Sequence, residues 1–401
     1  MSFQPPKGTD DILAPESQAW RETLRLWDDW CERYGYTLVN LPIFEATELF
    51  ERGVGDTSEV VTKQMYTFTD QGGRSVTLRP EGTAGVVRAY LNSGHRGVWK
   101  GAYSGPFFRY ERPQAGRRRQ FWQVGVEYLD TSSPVADTEV VELGYRFITS
   151  LGLSEVDLLI NSIGDPNCRP GYVEELRSYL RDKEPELSTV SADLIDRNPL
   201  RVLDSRIDRD VLVDAPRMVD HLCDACAVHY KAVKDGLSGL QIPYSEDPNL
   251  VRGLDYYTRT AFEYVATGLD AAQNAVGGGG RYDGLAEAIG GRPTPGVGFA
   301  LGLDRIMLAL GDPERAYLDA YLVSETGPED ALRVASQLRL QGVRVDLDAE
   351  GRSVKAQFRT ARRLEVPVVL VWKGDGHLVG VQTESERAEL PLQEVSNWFK
   401  G

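Results

Sequence analysis

Cysteine is scarce in this chain, basic charge is not in excess, and no long apolar run occurs. Four cysteines in 401 residues, Cys31, Cys168, Cys223 and Cys226, do not make the dense framework of a disulfide-stapled secreted domain. A reducing cytoplasm is the expected setting. No stretch is long and apolar enough to span a bilayer, and the amino-terminal segment lacks the basic start and apolar core of a signal peptide. Neither export nor a membrane is expected. A net charge of −15 argues against a protein that coats nucleic acid at large, because an acidic body repels polyphosphate at long range.

Any RNA contact must then be local, and two stretches are basic enough to supply one. Residues 105 to 123 carry Arg109, Arg112, Arg117, Arg118 and Arg119 against the single acid Glu111, and residues 351 to 363 carry five basic residues and no acid. The hydrophobic content of 41% allows a large core, and the length suggests two or three domains.

Trp20, Leu24, Trp27 and Cys31 recur at helical spacing, which predicts an amphipathic helix over 17 to 34. Gly35 stops it, and the β-rich run that follows, ending at Pro42, predicts a strand. Further strands are expected over 76–79, 103–109, 120–129 and 255–266, with helices over 81–92 and 305–309. Mixed elements without a βαβ rhythm point to an antiparallel sheet, an α+β fold. From about 150 to 245 the texture turns polar and helical, with helices over 174–182 and 218–234. This reads as an insertion, its helical part at about 165–245. After a linker at Gly311-Asp312-Pro313 the pattern is strand (320–323), helix (330–340), strand (343–347), helix (353–364) and strand (366–372), a small α/β domain with a largely parallel sheet. The expected division is 1–315 and 316–401.

Four segments could carry chemistry. In a strand from Arg119 to Tyr128, Phe121, Gln123, Gly125 and Glu127 share one face, and Trp122, Val124, Val126 and Tyr128 the other. Gln123 and Glu127 around a glycine make a polar floor with room above it, suited to an amino acid bearing an imidazole. Taken alone, the segment reads more simply as a solvent-facing strand. Upstream, the loop from Phe108 to Arg117 gathers arginines whose planar guanidinium groups match phosphate, and it equally fits an exposed hairpin tip. The third segment joins Arg252-Gly-Leu-Asp-Tyr-Tyr257 to four glycines at 277 to 280, where a ligand can approach backbone closely. No register of it matches GxGxxG, which argues against a nicotinamide enzyme. Paired tyrosines are more often core than ligand contacts. In the fourth, Gly298 and Gly302 leave space for a flat ring, with Arg305 poised over the ring or a phosphate; tight strand-on-helix packing is the alternative.

In this order, these segments resemble the signatures of the class II aminoacyl-tRNA synthetases, and specifically those of the histidine enzymes. Pro42 and Glu51 through Phe68 resemble motif one, Arg109 through Glu127 motif two, and Gly298 through Arg305 motif three. Arg252 through Tyr257 and Gly279 through Leu285 look like the two histidine-specific motifs.

The resemblance implies an antiparallel catalytic sheet, a homodimer, an anticodon-binding carboxy-terminal domain, and L-histidine, ATP and tRNA(His) as substrates, with Mg²⁺ on the departing pyrophosphate. It places Glu81, Gly82 and Thr83 at the histidine α-amino group. Gln123, Glu127, Tyr256, Tyr257 and Tyr282 fall in its amino-acid pocket. Arg109, Arg252 and Arg305 fall on ATP, with Arg109 and Arg252 at the α-phosphate where charge builds during attack. Gln114 and Arg117 are expected at the tRNA, and so, from their own spacing rather than from the resemblance, are Arg352, Lys355, Arg359 and Arg362 in the last domain. With Arg363 these four recur at helical spacing beside Val354, Phe358 and Ala361, a pattern that also fits a solvated helix face.

Three positions depart from the family pattern: Trp122 for His, Gln64 for Glu, and Asp304 for Glu. Trp122 lies opposite Gln123, so packing rather than chemistry should change. The end of the last domain, Trp372 through His377, also strays from it.

His221, Cys223, Cys226 and His229 imitate a zinc site, but three of them can share a helix face without metal, so packing is expected and no metal is assigned to protein side chains. Two rival functions remain: a non-catalytic paralogue serving as a regulatory subunit of histidine biosynthesis, and an amino-acid ligase acting without tRNA. The first lacks the anticodon domain and catalytic arginines, all present here, and for the second that domain is superfluous.

Overall fold

Helical periodicity near the amino terminus becomes α1 (Glu16–Arg33), which buries Trp20, Trp27 and Cys31. The computed structural model describes the chain apart from residues 1–2, 56–57, 154, 206, 270–273, 312–317, 376, 382–386, 393–394 and 396–401. Two units divide it, Met1–Ile12 with Trp20–Gly311, and Leu13–Ala19 with Asp312–Gly401.

After α1 the first unit continues through β1 (Thr37–Leu38), β2 (Phe44–Ala46), α2 (Thr47–Val54), β3 (Tyr66–Thr69), β4 (Ser75–Leu78), α3 (Thr83–Asn92), β5 (Trp99–Phe108) and β6 (Gln120–Leu129). It then runs α4 (Pro134–Ser150), β7 (Val156–Ser162), α5 (Arg169–Lys183), α6 (Thr189–Leu194), α7 (Asp224–Gly239), β8 (Ser245–Glu246), β9 (Thr258–Ala266), β10 (Ala275–Arg281), α8 (Leu285–Ala288), β11 (Gly296–Gly302) and α9 (Leu303–Leu310). Eight strands form one sheet in the order β1-β5-β6-β11-β10-β9-β7-β8. All its pairs are antiparallel except the outermost two, β1 with β5 and β7 with β8. The expected antiparallel α+β architecture is therefore present.

Alternation along β6 and β11 sends Val124, Val126, Phe299 and Leu301 into the core, all essentially inaccessible. Trp27 of α1 meets Phe147 of α4 and Phe299 edge-on at 5.0 and 6.0 Å. Helix α4 is started by Ser133, whose Oγ accepts the Val135 N–H at 3.3 Å, satisfying an otherwise orphaned donor. Trp122 packs edge-on against Trp20 at 6.0 Å. A small second sheet, β2-β4-β3, stands apart from the large one.

Several elements depart from expectation. The polar stretch read from about 150 still contains β7, paired to β9 in the large sheet; helical character dominates only beyond it. There α5, α6 and short turns bury their own cluster around Tyr172, Leu176, Leu180, Val202 and Met218. The helix expected over 218–234 is broken: Met218–His221 is a 3-10 turn, Leu222 and Cys223 are extended at ψ 134° and 161°, and α7 starts only at Asp224. Extended ψ at two successive residues cannot carry helical hydrogen bonds. The strand expected from 255 begins at Thr258, leaving Asp255 through Tyr257 in a turn. The strand after Gly35 covers only Thr37–Leu38.

The second unit contains β12 (Ala320–Ser324), α10 (Pro328–Leu340), β13 (Val345–Leu347), α11 (Val354–Arg363), β14 (Val368–Trp372), β15 (His377–Val381) and β16 (Arg387–Pro391). The sheet order is β13-β12-β14-β15-β16, with the first three strands parallel and the last two antiparallel. The parallel half follows the strand–helix rhythm of the sequence, whereas the closing hairpin has no such rhythm and was missed. Asp312 and Pro313 of the expected linker lie outside the described residues. No helix among the described residues is long and apolar enough to cross a membrane.

Candidate active site

A cleft of about 970 Å³, counted to its open mouth, lies in the first unit over the middle of the large sheet. Its walls come from the β5–β6 loop, the turn before β9, the glycines of β10 and the start of α9. Five arginines line it: Arg109, Arg117 and Arg118 from the β5–β6 loop, Arg252 from the turn before β9, and Arg305 from α9. Arg109 donates Nε–H to the Pro80 carbonyl at 2.8 Å and lies over the Phe121 ring. Arg305 is fixed by the carbonyls of Ala275 at 2.6 Å and Gly116 at 3.2 Å. Burial draws both guanidinium groups below their ordinary pKa, with Arg117 adding repulsion at Arg305. Arg252 is half-buried, and Glu263, at 2.8 Å, raises its pKa against the desolvation. Arg109 and Arg305, held through carbonyls rather than carboxylates, keep their charge for a ligand, and cations gathered in one cleft suit a polyanion.

Next to them the cleft changes character. Gln123, Tyr256, Tyr257, Gly82 and Thr83 line it, with Tyr256 and Tyr257 at a ring separation of 4.6 Å. Three polar atoms of lining residues, Gln123 Oε1, Tyr103 OH and Arg252 Nε, are buried with no hydrogen-bond partner among the described residues. A buried donor or acceptor left unpaired costs roughly 1–3 kcal/mol, so a polar ligand that completes these atoms is stabilised there.

Behind this wall sits Glu127, wholly buried. Its carboxylate accepts the Thr83 hydroxyl at 2.7 Å and, in a short contact, the Tyr282 hydroxyl. Burial pushes its pKa up to about 8 against those two hydrogen bonds, with Glu81 adding like charge. The strand is thus not solvent-facing. Gly298 lies directly across from Glu127 in the neighbouring strand, and a Cβ there would run into the carboxylate. The space that the sequence suggested for a flat ring at Gly298 is therefore filled by Glu127; at Gly302 it is open, the nearest atom to an added Cβ being Val276 O at 3.7 Å. The room expected above Gly125 is likewise occupied, by the Tyr103 ring from the paired strand.

Glu81 caps α3: its carboxylate accepts the N–H groups of Thr83 at 2.7 Å and Ala84 at 2.9 Å. That is why the helix expected from 81 begins at Thr83. Burial raises the Glu81 pKa, opposed by those backbone donors and by Arg109. A carboxylate has about four acceptor sites, so both oxygens retain capacity toward the cleft.

Of the residues singled out in the sequence, the cleft brings together Glu81, Gly82, Thr83, Arg109, Arg117, Gln123, Arg252, Tyr256, Tyr257 and Arg305. Glu127 and Tyr282 stand behind it. Gln114 is exposed at the hairpin tip, bridged to Arg117, which in turn pairs with Glu111 at 2.8 Å. In the second unit Lys355, Arg359 and Arg362 lie exposed on α11, whose Val354, Phe358 and Ala361 pack on Tyr321 and Val323. Arg352 precedes that helix and is tied to Asp348.

Sequence reading missed Tyr103, Glu263 and Asp304 as site components. Asp304 accepts the Trp122 N–H at 2.8 Å and pairs with Arg118 at 3.1 Å, fixing the hairpin to α9. Only Gly125 hinted at Tyr103, since a glycine at that register leaves room for a ring from the next strand. Arg281 of the second glycine-rich motif turns away from the cleft into a buried pair with Asp137. His229 shares that aspartate at 3.1 Å and His221 pairs with Glu175 at 3.6 Å, so neither histidine joins Cys223 and Cys226.

A family model described as histidyl-tRNA synthetase matches residues 8–306, and one described as an anticodon binding domain matches residues 320–400. The histidine–tRNA ligase of Desulfitobacterium hafniense is 42% identical over 98% of this chain and 97% of its own length. That of Halothermothrix orenii is 45% identical over 94% and 93%. Among solved structures, the apo histidyl-tRNA synthetase of S. aureus matches with a TM-score of 0.78 and 35% identity, covering 100% of both chains.

Proposed function

Because the chain belongs to the histidyl-tRNA synthetase family, we propose that its cleft activates L-histidine with ATP to histidyl-adenylate and passes the histidyl group to the 3′ end of tRNA(His). Whole-length identity to curated ligases makes the chain an ATP-dependent aminoacyl-tRNA ligase for histidine. It does not favour the regulatory paralogue. The single observation that carries the residue assignment is the trio of buried polar atoms, Gln123 Oε1, Tyr103 OH and Arg252 Nε, that find no partner among the described residues and lie beside an arginine cluster in one cleft.

On this reading Gln123, Tyr256 and Tyr257 hold the imidazole, and Glu127 sets the polarity of the pocket through Thr83 and Tyr282. Glu81 and Thr83 receive the α-ammonium. Arg109 and Arg252 meet the α-phosphate from opposite sides, where attack by the histidine carboxylate builds negative charge, and Arg305 steadies the nucleotide. Catalysis is positioning and electrostatics in a partly dehydrated cleft, with no covalent enzyme intermediate. When bound with the nucleotide, Mg²⁺ would supply neutralising charge to the departing pyrophosphate. The cleft carboxylates Glu111 and Glu263 are each already paired with an arginine at 2.8 Å, which suits an ion carried mainly on phosphate oxygens.

The further assignments are a catalytic domain over 1–315 with its helical insertion, an anticodon-binding domain over 316–401 that touches tRNA with Lys355, Arg359 and Arg362, and cytoplasmic action as a homodimer. Exposed Ile43, Phe44 and Phe68 on and beside the small sheet support the dimer, because apolar groups gathered there favour a covering partner.

Histidine-dependent ATP–pyrophosphate exchange, measured with Arg252→Ala alongside and followed by charging of total tRNA, tests the proposal. Exchange and charging by the wild type, with exchange lost in the variant, are expected. Exchange without charging would point to a ligase that does not use tRNA, and histidine binding without exchange to a regulatory paralogue.

A further inference from the structure

Three of the four cysteines converge on one aspartate at the root of the helical insertion. The ligand atoms of Asp165, Cys168, Cys223 and Cys226 all lie within 4.8 Å of one another. Cys168 Sγ is 3.8 Å from Cys226 Sγ and 3.6 Å from Asp165 Oδ1, and Cys223 Sγ is 3.9 Å from the same oxygen. For a tetrahedral ion with bonds of about 2.3 Å to sulfur and about 2.0–2.2 Å to oxygen, the edges should be roughly 3.8 Å between sulfurs and about 3.5 Å between sulfur and oxygen. The three distances fall close to those edges. We propose that Asp165, Cys168, Cys223 and Cys226 form a closed, four-ligand structural site for Zn²⁺.

The surroundings are built for such an ion. Each pair of ligands is separated by two residues, Asp165 to Cys168 and Cys223 to Cys226, and each pair ends at the start of a helix, α5 or α7. Thiolates at two helix N-termini meet the positive ends of the helix dipoles. The Asp165 N–H approaches Cys168 Sγ at 3.4 Å. Its carboxylate is oriented by the Asn167 N–H at 2.9 Å on one oxygen and by Arg259 Nη2 at 3.3 Å on the other. Gly164, immediately before, has φ +64°, and a Cβ there would lie 2.9 Å from the Cys168 sulfur, so the turn has no room for a side chain. Three thiolates and a carboxylate leave a net −2 around a divalent ion, and Arg259 stands within reach to offset part of it. The extended Leu222–Cys223 step that breaks the expected helix is what brings Cys223 to the cluster rather than leaving it in line with His229.

The ion staples the insertion to the catalytic sheet at three points, the end of β7, the start of α5 and the start of α7. Arg169, next to Cys168, donates Nη2–H to the Tyr257 carbonyl at 2.7 Å, so the same staple steadies the wall of the proposed histidine pocket. That consequence rests on the histidine-pocket assignment; the metal site does not.

The full-length protein, purified in reducing buffer without chelator, is expected to carry one zinc per chain by plasma mass spectrometry. Cys168→Ser and Cys226→Ser should lose it, while Cys31→Ser should keep it. Replacement by Co²⁺ should give the intense visible bands of a tetrahedral thiolate complex. Cys223→Ser, at a half-exposed ligand, should retain native circular dichroism and bind Zn²⁺ about tenfold or more weakly in chelator competition, which keeps the test informative should the other variants fail to fold. Only traces of zinc in the reduced wild type after incubation with excess Zn²⁺, or an octahedral cobalt spectrum, would overturn the proposal. A Cys168–Cys226 disulfide whose reduced thiols take up no metal would do the same. With zinc removed, histidine KM should rise while ATP KM holds; stoichiometric zinc without that change retains the site and sinks only its link to Tyr257.

Discussion

Arg252 is held by Glu263, Nη1 to Oε2 at 2.8 Å, and Glu263 sits directly across the ladder from Gly278. A Cβ on Gly278 would fall 2.8 Å from the same guanidinium nitrogen. Salt bridge and glycine together aim one cation into the cleft.

Arg252→Ala should therefore lower exchange by about 10²–10³-fold or more, the range for loss of a donor to a developing charge. Glu263→Gln keeps the arginine but releases it, and should lower kcat for exchange with little change in histidine KM. An unchanged kcat would show that the pair is not what positions Arg252. Gly278→Ala should reproduce the Glu263→Gln effect.

Glu127 makes stability depend on pH. Its carboxyl is raised from 4.5 to about 8 in the fold, so between those values the folded chain holds a proton that the unfolded chain releases. Its contribution to stability then falls as pH rises, by up to about 1.4 kcal/mol per pH unit, and levels off beyond the upper value. Glu127→Gln should have a Tm that gains on the wild type from pH 5 to 8, and a weakened affinity for histidine. A constant difference in Tm across that range would mean that Glu127 is ionised throughout.

The pair of Arg281 with Asp137 is wholly buried on both sides. Burial works to raise the Asp137 pKa, but His229 and Arg281 outweigh it and hold it below 3.8. The stabilisation is present above the unfolded value and is lost as pH falls through the lower, folded one. Arg281→Met strands the carboxylate and should cost about 3–5 kcal/mol at pH 7, measured by denaturant unfolding. A loss under about 1 kcal/mol would show that His229 alone suffices as partner.

On α11, Arg359→Glu combined with Arg362→Glu should raise the tRNA KM and spare exchange, because both lie exposed on a helix of the second unit. An unchanged tRNA KM would reduce the stripe to a solvated face.

Phe44 and Phe68 stand exposed on one face of the small sheet, opposite Leu78 and Val76 of β4. Phe44→Glu with Phe68→Glu should turn a dimer into a monomer in sedimentation velocity. A wild type that already sediments as a monomer would remove the dimer assignment.

The amino-acid sequence alone determined the antiparallel class, the first helix, the parallel half of the last domain and the motif residues that meet in the cleft. Those properties are written in short-range periodicity and in glycines and arginines at local spacing. What only the tertiary structure decided depends on register between distant strands. Glu127 looked half-exposed by alternation, yet Thr83 and Tyr282 reach it from 44 and 155 residues away and seal it from water. Tyr103 was invisible until β5 was laid beside Gly125. The cysteines looked like packing on one helix until a two-residue break in that helix turned Cys223 toward Cys168 and Asp165, 58 residues away. Alternation reports which face a residue takes, and only the folded chain reports what stands opposite it.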